Sequence, residues 1–160
     1  MGIIRSDLAP GGYHVITDTP TIRERPELLE DRLGRNGPKV LVVDDEEPIR
    51  NAYREHLERA GYRVVEASDG REGLERLKSE RDVSVVLADH EMPGMKGLEM
   101  AAGIKGLNPK TGVILISGSE DLRERFKTSP DPNVDVFLAK PVNFKQDVLP
   151  HVERLCKLTS

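Results

Sequence analysis

Val83-Ser84-Val85-Val86-Leu87-Ala88-Asp89-His90-Glu91-Met92-Pro93-Gly94-Met95-Lys96-Gly97 is the stretch from which the fold is read. Its opening apolar run, rich in β-branched residues, has the pattern of a strand buried on both faces of a parallel sheet. The run stops at one carboxylate, Asp89, and the chain then breaks on Pro93, Gly94 and Gly97. A strand that carries a single acid to its C-terminal end, with a loop and a helix behind it, places that acid where open α/β sheets bind and react.

Working outward, the same alternation repeats. Lys39 to Val43 is an apolar strand closed by Asp44-Asp45-Glu46-Glu47. Pro48 opens a helix whose N-terminal dipole suits those acids, and Gly61 closes it. Tyr62 to Ala67 reads as a second strand, followed by a helix over Gly70 to Ser79. After the Asp89 strand comes a helix over Gly97 to Leu107, then a fourth strand over Gly112 to Ser117. A short helix over Glu120 to Lys127 leads into the proline-bearing loop Thr128 to Asn133. Val134 to Ala139 is the fifth strand, ended by Lys140-Pro141. In the last helix Asn143 is the N-cap and Gln146 its capping-box partner; Pro150 inside that helix predicts a kink or an early break. Five strands alternating with five helices predict an α/β fold, a doubly wound five-stranded parallel sheet of flavodoxin-like (βα)5 type. Residues 1–37 form an N-terminal extension with one short helix expected within Pro26 to Leu33, and residues 38–160 form the domain.

Right-handed crossovers bring all five strand ends to one edge. Asp44 and Asp45 end the first strand, Asp89 the third, Ser117 the fourth and Lys140 the fifth. Two carboxylates about 4 Å apart repel by roughly 4 kcal/mol at an effective dielectric near 20. Three of them converge here, so a hard divalent cation with oxygen ligands, such as Mg²⁺, is the natural compensator. Lys140 adds a positive charge and Ser117 a hydroxyl able to hydrogen-bond an anionic oxygen. Each residue alone reads as an ordinary turn, cap or solvated loop group; their placement on successive strands of the right parity is what points to a site.

This constellation resembles the receiver domains of two-component response regulators, whose phosphoacceptor segment runs Asp-x-x-Met-Pro-x-x-x-Gly; Asp89, Met92, Pro93 and Gly97 match. The resemblance spans roughly Lys39 to Leu158. It implies that Asp89 accepts a phosphoryl group and that Asp45 and Asp89 ligate Mg²⁺, with Asp44 acting through a water and Glu91 through its backbone carbonyl. It further implies that Lys140 pairs with the phosphoryl group across a candidate cis Lys140-Pro141 bond, and that Ser117 and Phe137 form the switch pair. The expected donor is a sensor histidine kinase or phosphotransfer protein, and the output partner is an unknown downstream protein. Such a domain assists its own phosphorylation and dephosphorylation and is not an enzyme acting on a separate substrate. A homodimer through the fourth helix, fifth strand and fifth helix is one arrangement the resemblance allows. With no effector domain fitting after Leu158, the chain reads as a stand-alone receiver or one excised from a longer regulator. Gly118 stands where the family commonly has Ala.

Composition bounds the alternatives. A net charge of -4 leaves no cationic excess for direct nucleic-acid binding. No apolar run reaches membrane-spanning length, and the single Cys156 excludes an internal disulfide and fits a cytoplasmic protein. Two other functions share the fold. A flavodoxin-like binding module needs Ser, Thr and Gly after the first strand to hold a phosphate, where this chain has Asp44 to Glu47. An Asp-nucleophile phosphohydrolase needs a second acid two residues after the nucleophile, and Glu91 holds that spacing. His90 and His56 lack partners at metal-ligand spacing, and Cys156 reads as a small apolar residue.

Overall fold

A computed structural model describes residues 36–159; the short helix expected within Pro26 to Leu33, and nearly all of the N-terminal extension with it, lie outside them. The elements run β1 (Lys39–Val43), α1 (Glu47–Arg59), β2 (Arg63–Ala67), α2 (Gly70–Ser79), β3 (Val83–Asp89), α3 (Gly97–Leu107), β4 (Gly112–Ser117), α4 (Glu120–Thr128), β5 (Val136–Ala139) and α5 (Leu149–Thr159), the last preceded by a π-helical turn over Phe144–Val148. The five strands form one parallel sheet in the order β2-β1-β3-β4-β5, so the order reverses between β1 and β3 and a crevice opens there.

The near-continuous apolar strands are explained by what covers them. On one face Val40, Val42, Val85, Leu87, Ile114 and Ile116 meet Leu57 of α1 and Val148, Val152 and Leu155 near the C-terminus. On the other, Leu41, Val43, Val86, Ala88, Val113 and Leu115 meet Leu77 of α2 and Met100, Ala101 and Ile104 of α3. Each fully buried Leu, Ile or Val contributes about 1.5–3 kcal/mol of transfer free energy, so both faces of the central strands are firmly anchored.

Element ends differ from the expected ones where turn and loop hydrogen bonds claim backbone groups. Tyr62 belongs to the turn rather than to β2, because its amide closes α1 on the Leu57 carbonyl at 3.1 Å. Gly61 takes φ 96° in that turn, a conformation that favours glycine. β5 begins at Val136 rather than Val134: the Val134 amide turns back to Asp131 at 3.1 Å, while the Asp135 carboxylate takes the Val113 amide at 2.7 Å and Lys105 at 2.8 Å.

The start of the last helix corrects the capping-box expectation. Asn143 is the N-cap and accepts the Gln146 amide at 3.1 Å, but the return bond to the Asn143 amide comes from Asp147, at 2.6 Å. The wide π turn brings the residue four positions on, rather than three, over the Asn143 amide. The same turn absorbs Pro150. Its ring would meet the carbonyl four residues back in a regular α-helix, and here the Leu149 amide reaches five residues back to Phe144 before α-geometry resumes.

Candidate functional site

The site is assembled by the strand ends. Backbone bonds carry the sheet one residue further at each: the Asp44 amide to Ala67, His90 to Ile116, and Lys140 to Ser117, at 2.9–3.2 Å. Asp44 and Asp89 thereby remain within the sheet's last rung and are 3% and 5% exposed, while Asp45 is exposed. One carboxylate oxygen from each of these three residues lies within 4.8 Å of the others. The convergence predicted from strand parity is present.

The electrostatics record the crowding. Burial pushes the Asp44 carboxyl above its ordinary value, as does the charge of Asp45, against the opposing pull of the Glu46 amide, which Asp44 accepts at 2.8 Å. Burial raises Asp89 to about 6, with Glu91 and the Asp44 charge acting in the same sense and Lys140 against them. The Lys140 ammonium lies 3.2 Å from Asp89 Oδ1, and the carboxylates of Asp89, Glu91 and Asp44 raise the lysine above its usual range despite partial burial. A single ammonium thus feels three carboxylates, lying 3.2 Å from Asp89 and 4.0 Å from Glu91.

Whether this set fits Mg²⁺ is decided by its donors. All are oxygens, two of the three acids are buried and titrate above their ordinary range, and their spacing admits one small cation among them. That is the ligand chemistry Mg²⁺ takes, with waters and a phosphate oxygen completing its shell. The residues fit the ion.

Ser117 ends β4 with its side chain 1% exposed. Its hydroxyl donates to Glu91 Oε1 and accepts the Ser119 amide at 3.0 Å, while Glu91 Oε2 accepts the Gly118 amide at 3.4 Å and lies 4.0 Å from Lys140 Nζ. The Glu91 side chain, two residues after Asp89, therefore enters the site; its bond to Ser117 was not foreseen from the sequence. The Gly118 position is unstrained, since a Cβ there would lie 3.7 Å from Lys140 Cδ. The Lys140-Pro141 bond is cis. Beside the acids a cleft of about 550 Å³ runs between α1 and the β5 end, its wall formed by Ile49, Tyr53, Pro141 and Val142.

Phe137 lies apart from the acids, half-buried on β5 and stacked on Phe126 of α4 at 4.4 Å between ring centroids and 12° between planes. Phe126 was not singled out from the sequence; its spacing of four from Leu122 marks the inward stripe of α4 and could have found it. His90 and His56 make local packing contacts: His90 Nδ1 accepts the Leu98 amide at 3.3 Å at the start of α3, and His56 stacks on Phe144 at 4.9 Å. Cys156 is buried, which pushes its thiol up to about 11.

Comparison with known proteins agrees with this geometry. Residues 40–150 match the family model described as the response regulator receiver domain. A cyclic di-GMP phosphodiesterase of Thermotoga maritima is 34% identical over 106 residues, covering 66% of this chain and 28% of that protein. The response regulator MprA of Mycolicibacterium vanbaalenii is 31% identical over 122 residues, covering 76% of this chain and 52% of that one. The chain thus spans 28% and 52% of the lengths of these curated relatives. Among solved structures, the response regulator protein TrrA from Thermotoga maritima in complex with Mg(2+)-BeF aligns with a TM-score of 0.64 at 31% identity, over 73% of this chain and 97% of that one. Neither the flavodoxin-like binding module nor the phosphohydrolase is favoured by these matches. No helix among the described residues is long and apolar enough to cross a membrane.

Proposed function

We propose, from the premise that the chain belongs to the response regulator receiver domain family, that it is a phosphorylation-dependent switch whose phosphoacceptor is Asp89. The observation that carries this reading is the buried Asp89 carboxylate, placed among Asp44, Asp45 and Lys140 at the C-terminal edge of the sheet. Residues 38–160 form the receiver and residues 1–37 an extension to it.

In this reading one Asp89 oxygen attacks the phosphorus of a phosphohistidine on a sensor kinase or phosphotransfer protein. An O–P bond forms as the N–P bond breaks, and the bonding pair leaves with the imidazole. Asp44, Asp45, Asp89 and the Glu91 carbonyl would hold Mg²⁺. Bound there, the ion supplies neutralising charge to carboxylates and phosphoryl oxygens that otherwise repel. Asp89 itself cannot turn away, being fixed by Lys140 and by the Glu91 amide at 3.3 Å, so the nucleophile is pre-oriented. Lys140 balances charge on the transferring group. The cleft walled by Ile49, Tyr53 and Pro141 gives the donor its approach. Ser117 then follows the new anion, and Phe137 relays the change to the surface of α4, β5 and α5 as a shift between two populated states. That surface serves a downstream protein or a second copy of the chain. The setting is cytoplasmic, and the domain acts on itself rather than on a separate substrate.

Graded Mg²⁺ with acetyl phosphate tests the ligand set. The wild-type protein should gain a single phosphoryl adduct with a saturable dependence on Mg²⁺, and Asp45→Ala should need at least about tenfold more of the ion, as loss of one charged ligand implies. An unaltered Mg²⁺ dependence in Asp45→Ala would remove Asp45 from the site.

A further inference from the structure

A serine hydroxyl has one proton to give. In this structure the Ser117 proton is given to Glu91 Oε1, and the hydroxyl's acceptor side is taken by the Ser119 amide. The second Glu91 oxygen draws on the Gly118 amide at 3.4 Å and lies 4.0 Å from the Lys140 ammonium. Hydroxyl, amide and ammonium are three groups at this sheet edge able to meet an anion, and one carboxylate engages the first two while facing the third. The two anions of this site are held differently. The Asp89 side chain is 4% exposed and fixed in place, whereas that of Glu91 is 42% exposed and can swing to solvent with little loss of packing.

We propose that Glu91 is an internal counterfeit of the phosphoryl group: its carboxylate occupies the Ser117, Gly118 and Lys140 donors in the resting protein and must withdraw when Asp89 carries a phosphoryl. This rests on Asp89 being the phosphoacceptor. It gives Glu91 a positioning role in the resting state, distinct from the metal contact of its backbone carbonyl. The Ser117 hydroxyl cannot serve both anions, so phosphoryl binding and the Glu91–Ser117 bond compete directly. Their exchange frees the Ser117 hydroxyl to turn towards the phosphoryl once Glu91 leaves. Electrostatics act in the same sense, since an added phosphoryl beside Glu91 is a like charge.

The test uses the full chain and beryllofluoride with Mg²⁺ as the phosphoryl mimic, comparing wild type, Glu91→Gln and Glu91→Ala. Hydrogen bonds to a charged partner are among the stronger ones, so Glu91→Ala should bind the mimic about tenfold tighter (1.4 kcal/mol). Glu91→Gln, which keeps an acceptor for Ser117 but no charge, should fall between. The Gly118 amide resonance provides a second readout: it should differ between wild type and Glu91→Gln without the mimic and converge when the mimic is bound. Equal or weaker binding by Glu91→Ala, or a Gly118 difference that persists undiminished in the bound forms, would overturn the proposal. Absence of binding by all three proteins would overturn the Asp89 reading as well, which separates the two failures.

Discussion

α3 and α4 follow one another in the chain, yet they are attached to the sheet on different terms. α3 buries Gly97, Met100, Ala101 and Ile104, while α4 buries no residue and meets the domain through the half-buried Leu122 and Phe126. Under the proposed function, the difference would separate the two tasks of a switch. The proposed chemical end gathers carboxylates and an ammonium on strand ends that are sealed on both faces. The proposed reporting end would need a second arrangement within reach, and its helix is held by an aromatic stack and caps of its own. Ser119 accepts the Leu122 amide at 3.3 Å, which keeps α4 helical without fastening it. An element with few buried contacts opens at low free energy.

The contrast can be broken first at Gly97. A Cβ there would stand 2.5 Å from Leu115 Cδ1, 2.8 Å from His90 Cα and 2.9 Å from the Asp89 carbonyl oxygen, two of which are backbone atoms. Gly97→Ala should cost about 3 kcal/mol or more in urea unfolding, at the upper end of overpacking effects. A loss below 1 kcal/mol would show that the β3–α3 junction yields as easily as α4.

A smaller effect of opposite sign is expected at Asp89. Its carboxyl titrates near 6 in the folded protein against 3.8 ordinarily. The folded state therefore binds the proton more tightly, and this group's contribution is fully present below the unfolded value and lost as pH rises through about 6. Without Mg²⁺, Asp89→Asn should be more stable than wild type at pH 7 by about 1–2 kcal/mol, the shift being partly offset by the contact Lys140 loses. The gap should close towards pH 4. A constant gap across that range, followed by thermal unfolding, would remove the electrostatic origin.

At α4, Phe126→Ala should cost only about 1 kcal/mol globally, because the ring is half-buried, yet amide exchange in α4 should rise far more than in α3. Uniform acceleration across both helices would mean that α4 is not a separately opening unit.

The strand ends were legible in the sequence because they are fixed by two local facts, where an apolar run stops and which parity it has. Asp44, Asp89, Ser117 and Lys140 are placed by those facts alone, whatever the rotamers. Gly97 was legible as a match to a pattern, though its reason, the backbone lying against it, belongs to three dimensions. Glu91 bonding Ser117 and Phe126 stacking on Phe137 were not legible, because each joins side chains of different elements and depends on how those elements lean. Asp147 displaced Gln146 at the last cap for a related reason: the capping rule assumes α-geometry, and the turn there is π.

The most direct measurement is the mass of the intact protein after incubation with acetyl phosphate and Mg²⁺, beside folded Asp89→Asn and a sample without metal. A single phosphoryl adduct on the wild type alone, lost with either control, is the predicted result. An adduct on Asp89→Asn, or none on the folded wild type, would contradict the assignment of Asp89 as the residue this sheet edge is built to phosphorylate.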